Sequence, residues 1–264
     1  FDPEGPGVVR IHLIPPVYHP FRKAESLVIL NGYYILPLGY TLAHILTAFI
    51  DEVNTYDGRP ITEEAETHIF ENTVRTVSKI YPHVRCEAIG EDLEDLLEIL
   101  FEVARGGKPS VYIEKLSVRS YAPYMAAPHR MDLMVAAMTD EEGCWKCNQK
   151  CRFCYAAGQS LGKSSEMTAD EWKKVLDRLK QARVPMVTFT GGEPTQRADL
   201  CELIDYSRWF VTRLNTNGTL LTEELCDGLR KASLDSLQIT LYSHNPEIHN
   251  ALVGAPLFEK TVQG

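Results

Sequence analysis

From residue 128 onward, segments of strand character alternate with segments of helical spacing at intervals of about 25 residues. Strands are predicted over 131–138, 184–190, 210–214 and 237–241. Helices are predicted over 168–179, 198–207 and 222–232, and a further helix begins at Pro246. Such alternation indicates βα units that share a parallel sheet. The fold class is therefore α/β, with about four βα units.

A closed eight-unit barrel would need about 250 residues, and only about 135 follow residue 128. The sequence therefore predicts a partial barrel, and we expect the chain to be truncated. The fourth strand would then lie at an edge of the sheet, and proteins normally cover such an edge. At least two more strands are expected to complete the sheet.

The first 125 residues have a different rhythm and predict a small α+β module. Asn31-Gly32 separates two apolar runs, which is a strong hairpin signal. Helical spacing covers 42–53, 62–81 and 91–103, and a linking strand is predicted over 111–118. The expected domains are thus 1–125, the α+β module, and 126–264, the barrel part.

Composition excludes several classes of protein. No stretch approaches the 18 apolar residues of a membrane span. The formal net charge of -9 argues against general nucleic-acid binding. Seven cysteines, four of them between residues 144 and 154, favour a metal site over disulfides and predict a cytoplasmic protein.

Cys147, Cys151 and Cys154 follow the first strand of the βα series at x3 and x2 spacing. Ligand sites in such sheets lie at the carboxyl ends of strands, and three thiolates on one loop can share a soft-metal site. Three ligands on a four-iron cluster would leave one iron open. The alternative is structural zinc with Cys144 as fourth ligand, but two zinc knuckles this close together would be strained.

The spacing, together with Phe153 and Tyr155, resembles the signature of the radical S-adenosylmethionine (SAM) superfamily. Three further motifs match in order: Thr190-Gly-Gly-Glu-Pro194, Asn215-Thr-Asn-Gly218 and Gln238-Ile-Thr-Leu-Tyr-Ser243. Pro246-Glu-Ile-His249 and Gly254 follow the last of them. The last segments are most similar to SPASM-type subfamilies, which modify peptides and proteins, and the likeness covers about half the chain. It implies a six-stranded open barrel.

The resemblance also implies roles for individual residues. Cys147, Cys151 and Cys154 would hold a 4Fe-4S cluster, and SAM would be the second cofactor. The predicted SAM-binding residues are Phe153, Tyr155, Gly191, Gly192, Glu193, Pro194, Asn215, Asn217 and Thr240. Gly191 and Gly192 permit a sharp turn, and Glu193 offers an acceptor for an ammonium group. Packing is an alternative for Thr240, and a simple turn is an alternative for the two asparagines. No catalytic residue is assigned.

The implied activity is reductive cleavage of SAM to a 5'-deoxyadenosyl radical, which abstracts hydrogen from a substrate. A peptide or protein is the expected substrate, with a small metabolite or nucleotide as the alternative and a non-catalytic iron–sulfur or zinc protein as a remote one. A one-electron reductant such as flavodoxin or ferredoxin is an expected partner. The N-terminal module weakly resembles a PqqD-type leader-recognition domain, which binds a peptide as an added strand.

One segment departs from the family pattern. Relatives run from the first strand to the first cysteine through a short Thr-x-x-Cys-Asn, whereas here Asp-Glu-Glu-Gly-Cys-Trp-Lys separates Thr139 from Cys147. The insertion leaves the three-cysteine spacing intact. Cys144, within it, is expected to be a free thiol or a packing residue, with a ligand of another group as the remaining alternative.

Overall fold

The computed structural model describes residues 9–19, 22–56, 61–114, 117–154 and 166–264. It divides into two compact units, Phe1–Ala126 and Ala127–Gly264. Within the described residues, no helix combines the length and the apolar composition that crossing a membrane requires.

The first unit contains two antiparallel sheets. One has the strand order β1-β4-β5, formed by Ile11–Ile14, Ser26–Leu30 and Tyr34–Leu38. The other pairs β2 (Val17–His19) with β3 (Arg22–Ala24). The predicted Asn31-Gly32 hairpin is confirmed, because both residues have positive φ, 51° and 66°, in the turn between β4 and β5.

Three helices pack on the larger sheet: α1 (Tyr40–Asn54), α2 (Glu63–Ile80) and α3 (Cys86–Ala104). The three predicted helices are confirmed, but α3 begins five residues before the predicted start. The apolar stripe that predicts this helix begins at Leu93, so the first turn of α3 gave no such signal. Gly90 is buried in α3, and a Cβ there would lie 3.4 Å from the Phe70 ring, in ordinary van der Waals contact.

The linking strand predicted over 111–118 is wrong for the residues described there. Those residues form bends and then the short helix α4 (Val118–Tyr121), followed by a 3₁₀ turn, Ala122–Tyr124. Only the Ile113 N–H donates to the sheet, to the Ile35 carbonyl at 2.8 Å. One hydrogen bond holds the segment against β5 without a ladder, because the apolar run is too short and irregular to continue the pairing.

The second unit contains one parallel sheet in the order β6-β7-β8-β9. Its strands are Arg130–Ala136, Met186–Gly191, Val211–Thr216 and Ser236–Ile239. The helices α5 (Ala169–Ala182), α6 (Leu200–Tyr206), α7 (Glu223–Lys231) and α8 (Pro246–Val253) follow these strands in turn, and α9 (Phe258–Gln263) was not predicted. The predicted α/β class with four parallel βα units is therefore confirmed.

Apolar side chains in register hold this sheet together. Leu133 pairs with Phe189, which pairs with Leu214, and all three are buried. The helices begin where the sequence places their caps: the Thr168 hydroxyl accepts from the Glu171 N–H, and the Glu171 carboxylate accepts from the Thr168 N–H in return. The strand contacts hold the sheet in register, and the site is built at the carboxyl ends of its strands.

Candidate functional site

A cleft of about 240 Å³ lies where the carboxyl ends of β6, β7, β8 and β9 meet. Ten predicted site residues line it: Cys147, Cys151, Phe153, Cys154, Gly191, Gly192, Glu193, Asn215, Asn217 and Thr240. Six lining residues were not predicted: Met138, Trp145, Gln149, Thr190, Thr216 and Tyr242. Pro194 is buried in a 3₁₀ turn outside the lining, and Tyr155 lies outside the described residues.

The three motif thiols are partly buried in this cleft. Burial, the nearby Glu193 charge and the two other cysteines raise the pKa of Cys147 from its usual 9.0 to about 11. Burial also raises the pKa of Cys151. Within the described part of the chain, no three His, Cys, Asp or Glu side chains are arranged around the position of a single metal ion. A cation that binds all three sulfurs would favour their thiolate forms.

Helix α8 holds the cysteine loop from one side. The Lys150 and Arg152 N–H groups donate to the Val253 and Leu252 carbonyls at 2.8 and 2.9 Å. These are carbonyls of the last helical turn, which lack partners inside the helix. The chain leaves α8 through Gly254, whose φ is 69° and whose Cβ, if it had one, would lie 2.7 Å from the Lys150 oxygen. Gly254 is therefore required for this close contact.

Two asparagines and a threonine hold the loop from the other side. The Asn217 Nδ2 donates to Asn148 Oδ1 at 2.7 Å, and the Asn148 Nδ2 donates to Thr219 Oγ1 at 2.7 Å. Asn217 Oδ1 accepts from the Thr219 N–H and hydroxyl. The Asn217 side chain thus ties the end of β8 to the cysteine loop, a partner set that the sequence pattern did not reveal.

Gly191 and Gly192 form the sharp turn after β7. Gly191 has a φ of 131°, and a Cβ there would lie 2.2 Å from the Ala136 oxygen. A Cβ on Gly192 would lie 2.9 Å from the Ala137 oxygen and 3.3 Å from the Cys147 Cβ. The close approach that these glycines permit is to the end of β6 and the start of the cysteine loop.

Glu193 lies beneath this turn and is only 1% exposed. Its Oε1 accepts from the Thr195 N–H, the Thr195 hydroxyl and the Thr216 hydroxyl, and its Oε2 accepts from the Asn217 N–H at 2.8 Å. All four donors are neutral. Among the described residues no cationic side chain forms an ion pair with Glu193. The cleft therefore contains a buried negative charge that a cationic ligand would neutralise.

Asn215, Thr240 and Phe153 surround the remaining space. Asn215 Oδ1 is buried and has no hydrogen-bond partner among the described residues. The Thr240 N–H donates to the Thr216 carbonyl at 3.3 Å, which fixes its position beyond β9. The Phe153 ring packs edge-on against Tyr242, with ring centroids 4.6 Å apart. An unpartnered acceptor and an aromatic wall suit a polar ligand with a planar ring.

The insertion before Cys147 folds as a small hairpin. Thr139 and Trp145 form an isolated antiparallel bridge, and Asp140 Oδ1 accepts from the Glu142 and Cys144 N–H groups. Cys144 is exposed at this hairpin. The Trp145 indole N–H donates to the Gln149 carbonyl at 2.7 Å, so the insertion also supports the cysteine loop.

Comparison with known proteins shows which family the second unit resembles. A model of the radical SAM superfamily matches residues 146–264, which include every motif described above. Residues 146–264 match a radical SAM domain. Members of this superfamily use a 4Fe-4S cluster and SAM.

Curated relatives of this radical SAM domain include a probable GTP 3',8-cyclase of Thermococcus kodakarensis, 33% identical over 121 residues, which are 45% of this chain and 39% of the relative. An AdoMet-dependent heme synthase of Methanosarcina barkeri is 36% identical over 121 residues, 45% of this chain and 35% of the relative. The chain thus spans less than two-fifths of the length of these relatives.

Among solved structures, SuiB of Streptococcus suis bound to the precursor peptide SuiA aligns with a TM-score of 0.51 and 14% identity. The alignment covers 97% of this chain and 53% of SuiB. At this identity the likeness supports the fold alone.

Proposed function

We propose that this protein is a radical SAM enzyme whose cluster is held by Cys147, Cys151 and Cys154 and whose SAM lies in the cleft beside Glu193. The observation that carries the proposal is that three thiols and a buried carboxylate without a cationic partner share one cleft at the carboxyl ends of parallel strands. This arrangement combines soft metal ligands with a site for a positive charge.

The donor set fits both cofactors. Three thiolates are the ligands that iron–sulfur clusters prefer, and three rather than four leave a position for another ligand. SAM carries a sulfonium and an ammonium group, and the negative charge of Glu193 would favour either. The buried Asn215 Oδ1, to which no described residue donates, offers a further hydrogen bond.

When bound, the reduced cluster supplies the electron that cleaves SAM and yields a 5'-deoxyadenosyl radical. The protein's own residues bind and orient. Cys147, Cys151 and Cys154 serve as thiolates, Glu193 stabilises the positive charge, and Asn215 fixes the polar part of SAM. The Phe153 and Tyr242 rings close one wall of the cleft and reduce the access of water.

We further propose a peptide or protein as the substrate and a flavodoxin-like or ferredoxin-like protein as the one-electron donor. SuiB, which shares this fold, is bound to a precursor peptide. In the first unit, β1 is an edge strand of the described sheet β1-β4-β5, and an extended peptide can join such an edge through main-chain hydrogen bonds. That unit would then be the peptide-recognition module.

A small-molecule substrate is the second candidate. It is favoured by the sequence relatives, whose names specify a GTP cyclase and heme synthases. These relatives match through the radical SAM domain, so their likeness extends to cofactor chemistry more directly than to the substrate.

Anaerobic cleavage of SAM tests the proposed chemistry. The reconstituted protein, given dithionite and SAM, is expected to form 5'-deoxyadenosine, whereas the iron-free protein or an assay without dithionite should form none. If iron-loaded protein and reductant yield no 5'-deoxyadenosine, the proposal is wrong.

The substrate class needs a separate assay. Random peptides displayed on their coding RNA can be selected on the protein, and amide exchange then shows whether a selected peptide protects Ile11–Ile14. Protection of this strand supports the peptide proposal. Consumption of GTP with SAM would favour the small-molecule candidate instead.

A further inference from the structure

Gln149 lies between the first two motif cysteines and is 5% exposed, although its side chain lines the cleft. Its Oε1 lies 3.6 Å from Cys151 Sγ, close enough to accept a hydrogen bond from the thiol. Its Nε2 is buried and, among the described residues, has no hydrogen-bond partner. A buried amide with an unpaired donor beside a metal-ligand sulfur requires a physical explanation.

The contact as it stands suits only a protonated thiol. A cysteine that binds iron is a thiolate, which has no proton to donate and can only accept hydrogen bonds. The amide oxygen and the sulfur would then be two acceptors facing each other. A half-turn of the amide about its last torsion exchanges Oε1 with Nε2 and converts this contact into an N–H···S hydrogen bond, without moving the backbone.

Hydrogen bonds fix the backbone of Gln149 and of its neighbours, so the side-chain amide can turn by itself. Its carbonyl accepts from the Trp145 indole N–H at 2.7 Å. The neighbouring residues are fixed from both sides, Asn148 by Asn217 and Lys150 by the Val253 carbonyl. The amide can therefore turn while its distance from Cys151 is maintained.

On the basis of the proposed function, we infer that the Gln149 amide donates a hydrogen bond to the Cys151 thiolate and raises the reduction potential of the cluster. A donor at a ligand sulfur stabilises the extra negative charge of the reduced cluster, so it makes reduction easier. Gln149 is thus a tuning residue that acts through Cys151. It needs no contact with SAM.

The test is an anaerobic redox titration of the reconstituted full chain without SAM, followed by electron paramagnetic resonance of the reduced cluster. Gln149→Leu removes the donor at similar size, and Gln149→Glu replaces the amide by a group that cannot donate when ionised. Gln181→Leu, an exposed position on α5, is the matched control. Both Gln149 variants are expected to have a lower potential than the parent, with Gln149→Glu the lowest, and Gln181→Leu the parental value.

Iron and sulfide counts separate the possible failures. A parent that holds no 4Fe-4S cluster contradicts the proposed function, and this inference with it. If the parent holds a full cluster and the Gln149 variants have the same reduction potential as the parent, only this inference is overturned. Loss of the cluster from both Gln149 variants would also overturn it, because a bond that tunes the potential is not required for assembly.

Discussion

At the scale of single residues, the protonation of the Cys147 thiol makes the stability of the folded chain depend on pH. Cys147 is partly buried beside Glu193, and burial, followed by the Glu193 charge, raises its pKa to about 11. Below the usual thiol pKa, both the folded and the unfolded chain keep this thiol protonated. Between about 9 and 11 the folded chain holds the proton that the unfolded chain has lost, so stability falls as the pH rises.

We therefore predict slow alkylation of Cys147 in the iron-free chain. At pH 8, iodoacetamide should modify Cys147 more slowly than the exposed Cys144, because the nucleophile is the thiolate. The difference should narrow as the pH approaches 11. Mass spectrometry of the digested protein measures both sites in one sample, and equal rates at pH 8 would contradict the assigned environment of Cys147.

Asn215 and Asn217 lie two residues apart and are expected to respond differently to substitution. Asn217→Ala removes hydrogen bonds to Asn148 and Thr219, so it should lower the free energy of unfolding by about 1–3 kcal/mol. Asn215→Ala removes an acceptor that is unpaired within the described part of the chain, so stability should change little. A lost hydrogen bond to a charged ligand is worth about 1.5–3 kcal/mol, so the SAM affinity of the Asn215→Ala protein should fall about ten- to a hundredfold.

Urea denaturation measures the first effect, and titration calorimetry of the reconstituted protein with SAM measures the second. Parental SAM affinity in Asn215→Ala would remove this residue from the SAM site. The Asn215-Thr-Asn-Gly218 motif indicates the same role for both asparagines. It could not separate them, because the contact between Asn217 and Asn148 joins residues that are 69 positions apart.

At the scale of elements, the cysteine loop depends on how α8 ends. Gly254→Ala adds a Cβ 2.7 Å from the Lys150 oxygen at a residue with φ of 69°. Gly143→Ala is the matched control, because Gly143 also has positive φ, 86°, but a Cβ there meets nothing within 4 Å. Both variants carry the backbone cost of about 1–2 kcal/mol. Only Gly254→Ala should also displace the loop and lower the iron bound per chain. Equal iron content in the two variants would contradict the role of α8.

The elements themselves were largely predictable from local signals. Alternating apolar residues, the Thr168 cap and the Asn31-Gly32 turn specify structure within a few residues of themselves, and these predictions are confirmed. The packing of Gly90 beside Phe70 and the hydrogen bond from Ile113 to Ile35 join residues that are distant in sequence. Local patterns contain no information about such contacts.

At the scale of the whole molecule, the two units have separate hydrophobic cores. One core draws on residues between Val28 and Val103, and the other on residues between Leu133 and Ala232. All described residues of the candidate site belong to the second unit.

We predict that residues 127–264 expressed alone assemble the cluster and that residues 1–126 do not. Iron analysis of the two pieces checks this, and an iron-free 127–264 piece would show that the site needs the first unit.

The candidate site was predictable where the sequence has motifs and not where it relies on packing. Spacing identified the three cysteines, and the family resemblance identified the Gly-Gly-Glu turn and Thr240; the structure brings them into one cleft. Gln149 and Tyr242 lie within or next to the same motifs, but residue type alone did not distinguish them from ordinary loop residues. Their proximity to Cys151 is a property of the folded loop.

The central claim is that three cysteines of this chain hold a four-iron cluster. Iron and acid-labile sulfide, counted per chain after anaerobic reconstitution of the parent, Cys144→Ala and Cys151→Ala, test it most directly. The parent and Cys144→Ala should each contain about four of both, because Cys144 is exposed outside the cleft, and Cys151→Ala should lose the cluster. A Cys151→Ala protein with the parental iron and sulfide content would contradict the account.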